Sequence, residues 1–116
     1  MRSLHGEAVL PESAPARPAA RMLVEVRDVS LADGDTPALV VTRAVLDNIP
    51  LAPGRIIEFD LDDVPLAARG QSLALRVHVD LDGTGTVTPG DLVTTEHVPV
   101  AALGELTGVV APLTRV

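Results

Sequence analysis

The chain contains no cysteine, tryptophan, tyrosine or lysine, and Phe59 is its one aromatic residue. Without thiols there are no disulfides, no thiolate metal centres and no cysteine nucleophiles. The same absence suits a reducing or an oxidising compartment, so it does not fix location. Without rings, the core has to be built from Val, Leu, Ile and Ala. That forgoes the large area each buried aromatic supplies, and modest stability is expected. The cations are nine arginines scattered along the sequence against 16 acidic residues, for a net charge of −7. Nucleic-acid binding needs clustered cations that displace counterions, so no nucleic-acid partner is expected. An anionic membrane surface is disfavoured on the same ground. No apolar run approaches the roughly 20 residues that cross a bilayer as a helix. Met1-Arg2-Ser3-Leu4-His5-Gly6 has neither the apolar stretch of a signal peptide nor a Cys for a lipid anchor, so no direct membrane insertion is expected of the chain as written.

What is present reads as a folded domain. The chain is 47% hydrophobic and 22% charged, a balance that separates it from disordered segments. Its 116 residues suit a single domain spanning 1–116, with a strand core from about residue 4 to residue 113. Strand patterns recur with turn chemistry between them. The first is 4–10, ended by Pro11. A Pro- and Ala-rich connection follows over 11–20, where Pro15 and Pro18 deny a regular ladder. Met22, Val24 and Val26 alternate with Glu25 and Arg27 as a half-buried strand. Residues 30–37 form a turn around Asp33-Gly34 and Pro37. Residues 38–46 are β-branched and continuous, as in a central strand. Ile57, Phe59 and Leu61 alternate with Glu58, Asp60 and Asp62 in the cleanest period of two in the chain. Further strands cover 73–79, 92–100 and 108–113, and a helical turn is expected over 101–106. About seven strands between turns predict an all-β fold, a single immunoglobulin-like β-sandwich. A closed barrel satisfies the same periodicity. The predicted core is Met22, Val24, Val26, Val41, Ile57, Phe59, Leu61, Leu73, Leu75, Val77 and Val79.

The most informative stretch is Asp80-Leu81-Asp82-Gly83-Thr84-Gly85-Thr86-Val87-Thr88-Pro89-Gly90-Asp91. Side-chain oxygens stand at its first, third, fifth, ninth and twelfth positions, with glycine at the sixth. That is the ligand spacing of an EF-hand-type calcium loop, here set between strands instead of helices. The expected metal ligands are Asp80, Asp82, Thr84, the carbonyl of Thr86, Thr88 through a water, and Asp91. Thr88-Pro89 suits the start of one helical turn that would bring Asp91 back toward Asp80 and Asp82. Asp91 in place of the longer Glu, and a neutral Thr84, make any calcium binding weak, on the order of 0.1 to 1 mM. The same residues also make a hairpin turn with no ion, because Asp side chains in turns bond their own backbone.

Other constellations carry less. His5, His78 and His97 have no metal-ligand spacing and read as structural or solvated, with His78 on the exposed face of its strand. Ser72, His78 and Asp80 lack the strained elbow of a nucleophile. Asp60, Asp62 and Asp63 form an acidic run whose ordinary role is to discourage pairing at a sheet edge.

Taken together, several segments resemble the YscW/YbaY-type lipoprotein family of bacteria. They are Gly6-Glu7-Ala8-Val9-Leu10-Pro11, Val26-Arg27-Asp28-Val29-Ser30-Leu31-Ala32-Asp33, Pro53-Gly54-Arg55-Ile56-Ile57, Leu75-Arg76-Val77-His78-Val79-Asp80, Thr88-Pro89-Gly90-Asp91 and Val98-Pro99-Val100. The resemblance implies a small non-enzymatic β-sandwich on the periplasmic or outer face of bacterial membranes. It also implies kinship with pilotins, which bind a segment of a secretin subunit and help place it in the outer membrane. Members of the family usually carry a signal peptide and a lipidated Cys, and this sequence has neither; with Met1 as the true start, a cytoplasmic location is expected instead. The expected function is a non-catalytic binding or assembly module with a structural calcium loop at 80–91, its protein or peptide partner adding to an edge strand. The alternative is a small enzyme or a carrier of an apolar ligand, for which an aliphatic sandwich leaves little room, since such sites occupy about 300 Å³ or more.

Overall fold

A computed structural model of the protein describes residues 2–30, 38–101 and 104–116. Eight strands follow one another: β1 (Arg2–Val9), β2 (Pro18–Asp28), β3 (Leu39–Pro50), β4 (Ile56–Val64), β5 (Leu73–Asp80), β6 (Leu92–Thr94), β7 (Val98–Val100) and β8 (Leu106–Arg115). No helix occurs among the described residues. All eight belong to one continuous sheet in the order β3-β2-β5-β6-β8-β1-β4, with β7 also paired to β5.

The all-β expectation holds, whereas the two packed layers are not separate sheets, because β8 serves both. Its residues 113–115 pair antiparallel with β6. Its residues 106–112 pair parallel with β1. Three single-residue bulges curl the sheet: one in β3 at Val41, one in β4 at Asp63 (φ 60°) and one in β8 at Gly108 (φ 68°). Each bulge adds local twist and bends its strand. The two ends of the sheet, β3 and β4, therefore come to face one another. Among the described residues they form no ladder, and the Thr42 hydroxyl donates to the Asp62 carbonyl at 3.3 Å across the gap. The result is a nearly closed barrel with one open seam.

Nine of the eleven predicted core residues are buried, and Val41 and Ile57, on the two edge strands, are half-buried against the core. Leu4, Ala8, Leu92, Leu106, Ala111 and Leu113 join that core from β1, β6 and β8. Phe59 lies over Gly6, its partner across β1 and β4. A Cβ at position 6 would stand 2.6 Å from the ring and 3.0 Å from the Val109 carbonyl oxygen, so the single large ring needs a glycine beneath it.

Several element boundaries differ from the sequence reading. β2 begins at Pro18, inside the stretch expected to be irregular, because a proline is tolerated as the first residue of a strand. β3 is an edge strand, although its Val-rich run suggested a central one, and it continues through Asp47-Asn48 with Asn48 at positive φ. The expected strand over 92–100 is split into β6 and β7. Between them Thr94 turns its hydroxyl to accept the Val77 N–H at 3.3 Å, replacing a ladder bond. Most of the turn expected at 30–37, and residues 102–103 of the helical turn expected at 101–106, lie outside the described residues. Leu106 belongs to β8.

Candidate functional site

Buried polar groups gather at the loop joining β5 to β6, and an open cleft lies at the seam between β3 and β4. The loop is residues 81–91, closing the antiparallel pair that matches His78 with Val93 and Val79 with Leu92. Asp80 and Asp91 are both fully buried at its base. Ligand atoms of His78, Asp80 and Asp91 lie within 4.8 Å of one another. Each carboxylate is occupied by local donors. Asp80 Oδ1 accepts the N–H groups of Gly83 (3.0 Å) and Thr84 (3.3 Å), and its Oδ2 accepts that of Gly85 at 2.8 Å. Asp91 Oδ1 accepts the Leu81 N–H at 3.1 Å. Its Oδ2 accepts the Thr88 N–H at 3.0 Å, the Thr88 hydroxyl at 3.3 Å and His78 Nε2–H at 2.9 Å.

Of the other sequence-predicted ligands, Thr88 is brought to Asp91 through its hydroxyl. Asp82 is exposed, and Thr84 donates its hydroxyl to the Thr86 carbonyl at 3.1 Å. The expected helical turn at Thr88 is a single reverse turn, with Asp91 N–H bonded to the Thr88 carbonyl at 3.1 Å. As folded, both carboxylates are engaged by local donors, and a cation bound there would exchange for some of them. Burial would raise the Asp91 carboxyl pKa. The bonds from His78, Thr88 and Leu81, with the charge of His78, outweigh burial and hold it below the ordinary value of 3.8.

His78 corrects the expectation of an exposed ring. Its alternation points it away from the core, but the loop folds back over it and leaves it 5% exposed. Nothing in the sequence marked this pairing except the Thr88–Asp91 turn, which returns Asp91 to the strand. His5, by contrast, pairs with Asp60 on an exposed surface, and Asp62 accepts the Ser3 hydroxyl at 3.0 Å.

The seam opens at one end into a cleft of about 550 Å³ lined by Leu46, Ile49, Pro50, Ile56 and Ile57, with Glu7, Arg55 and Glu58 also at its walls. This exceeds the space expected of an aliphatic sandwich, because the sheet stops short of closing there. Ile56 is 53% exposed at the cleft. Edge residues of both strands thus offer apolar side chains and ladder groups that, among the described residues, pair with no strand.

No family model and no curated protein matches the chain. Among solved structures it is similar to an alternative pilotin from the type II secretion system of Vibrio cholerae. The TM-score is 0.65 at 21% sequence identity, over 99% of this chain and 98% of that one. At this identity the likeness defines the fold: an all-β, pilotin-like chain of nearly closed sheet. It does not single out the YscW/YbaY-type family.

Proposed function

We propose that the chain is a non-catalytic binding and assembly module of the bacterial envelope, of the pilotin kind, and that its partner enters the seam between β3 and β4. The observation that carries this reading is the open seam. Two strand edges, unpaired among the described residues, and an apolar cleft of about 550 Å³ lie side by side, which is the combination an added strand uses: ladder bonds for affinity, pockets for alternate side chains. The similarity to a pilotin, and the family resemblance of the sequence, point to a segment of a secretin subunit as the occupant. Overlapping peptides spanning the secretin of the same genome test this. One of them should bind, and Ile56→Asp, a change at an exposed position, should weaken it by about tenfold or more. Binding of a fatty acid in the cleft with no peptide bound would favour the carrier reading instead.

Calcium in the 80–91 loop is a separate proposal and rests on the ligand spacing. It requires Asp80 and Asp91 to exchange amide donors for the ion. A cation that binds only the folded state raises stability by mass action. Melting should therefore rise in 10 mM calcium relative to chelator, and Asp82→Ala should remove the rise. Identical curves would leave the loop as a hydrogen-bonded turn.

A further inference from the structure

Although the net charge is −7, four of the nine arginines share the outward face of β3, β2 and β5. The register sets that face in rows across the sheet: Asp47, Arg21 and Asp80; then Val45, Leu23 and His78; then Arg43, Glu25 and Arg76; then Arg27 beside Ala74. Glu25 is 3% exposed although it points away from the core, between Val24 and Val26, which point into it. Guanidinium groups bury it. Arg27 donates to it twice, at 2.7 and 3.2 Å, Arg43 lies 3.1 Å away, and Arg76 is within 3.9 Å.

One carboxylate among three guanidiniums leaves two positive charges over, together with most of their fixed N–H donors. Among the described residues, the other acids facing this patch do not compensate it. Asp80 and Asp47 are two rows away, and both Asp80 oxygens are taken by backbone amides. Glu96, with His97, stands exposed at the far wall of the hollow beside Arg27 and Arg76. Pinning one buried Glu needs fewer cations than are gathered here. The crowding is felt by Arg76, whose pKa is lowered first by burial and then by Arg27, with Glu25 opposing. Arg43 is 57% exposed and Arg76 34%, so both are open to a ligand.

We propose that this face binds an acidic, extended peptide segment, with alternate carboxylates on Arg43, Arg76 and Arg27 and an apolar side chain on Leu23 and Val45. The rows are two residues apart along each strand, about 6.6 Å, which is also the spacing of same-side residues in an extended peptide. A segment running along β2 therefore meets the rows in the order apolar, acidic, acidic at every second position. Guanidinium forks match carboxylates in geometry. An anionic membrane is the poorer fit, since the rest of the surface carries the opposite sign and would be repelled.

A fluorescein-labelled peptide of sequence Ser-Val-Ser-Glu-Ser-Glu-Ser, and its twin with Gln for each Glu, test this on the intact protein by anisotropy. The Glu peptide should bind about tenfold or more tightly than the Gln peptide at 50 mM salt, and should weaken at 300 mM. Arg43→Gln should cost about threefold or more while leaving the melting temperature in place, because Arg27 still holds Glu25. Arg115→Gln, off this face, should change nothing, and Ile56→Asp should also leave this binding intact, so it stands apart from the seam. Equal affinity for the two peptides, or an equal loss in Arg115→Gln, overturns the proposal. So does sedimentation with phosphatidylglycerol vesicles in place of peptide binding.

Discussion

Asp91 is the residue on which the loop closes. Its carboxylate is buried and gathers donors from Leu81, Thr88 and His78, which between them span the start of the loop, its end and the strand that precedes it. Replacing a buried, charged acceptor of this kind costs about 2–3 kcal/mol, since the donors are left without a partner. Its pKa is depressed when folded, so its contribution is fully present above the unfolded carboxyl value of 3.8 and is lost as pH falls through the lower folded value. Melting followed from pH 7 to pH 2 should therefore fall most steeply below about pH 4. Asp91→Asn should melt lower at pH 7 and show a shallower acid decline. A decline as steep in the variant as in the parent would mean that other carboxylates govern the acid limb. At this scale the sequence spoke clearly about residue types and less about their use. The spacing of Asp80 and Asp91 was visible, but the same carboxylates serve an ion or a set of backbone amides, and the choice depends on where the amides of 81–88 point.

Among the elements, the contact of β1 with β4 around Gly6 and Phe59 carries the largest ring in the protein. Gly6→Ala places a methyl 2.6 Å from the Phe59 ring, with backbone on the other side, so the ring must leave its position. The expected loss is about 1–3 kcal/mol, measured as a lower urea midpoint with an unchanged slope. Phe59→Leu in the Gly6→Ala background should recover part of it. If both single variants and the pair lose additively, the ring and the glycine are not coupled as described. The alternation of Ile57, Phe59 and Leu61 made β4 legible in advance. Alternation reports which face a residue takes and says nothing of a strand's neighbours. That is why the Val-rich β3 resembled a central strand yet lies at the edge, and why Glu25 read as an ordinary outward acid. Its burial comes from Arg27 on its own strand and from Arg43 and Arg76 on the two neighbouring strands, which only the pairing of β2 with β3 and β5 brings to it. Bulges at Val41, Asp63 and Gly108 were equally silent, since one extra residue leaves no mark on a short periodic run.

For the molecule as a whole, the consequence is a sheet that curls toward closure and stops. A fully closed barrel would have no edges, and two separate sheets would have more of them; here β3 and β4 are the ends of one path. Among the described residues their seam holds one side-chain hydrogen bond, between Thr42 and Asp62, and the apolar cleft beside Ile56 and Ile57. A partner segment that pairs there would complete the barrel, and its ladder bonds would slow exchange of the edge amides on both strands at once. Amide hydrogen exchange, read with and without the secretin-derived peptide that binds, tests this directly. The peptide should protect amides in both 39–50 and 56–64 and leave those of β1 and β5, already within the sheet, nearly unchanged. Protection of neither stretch, or of the β2–β5 face alone, would contradict a partner seated in the seam.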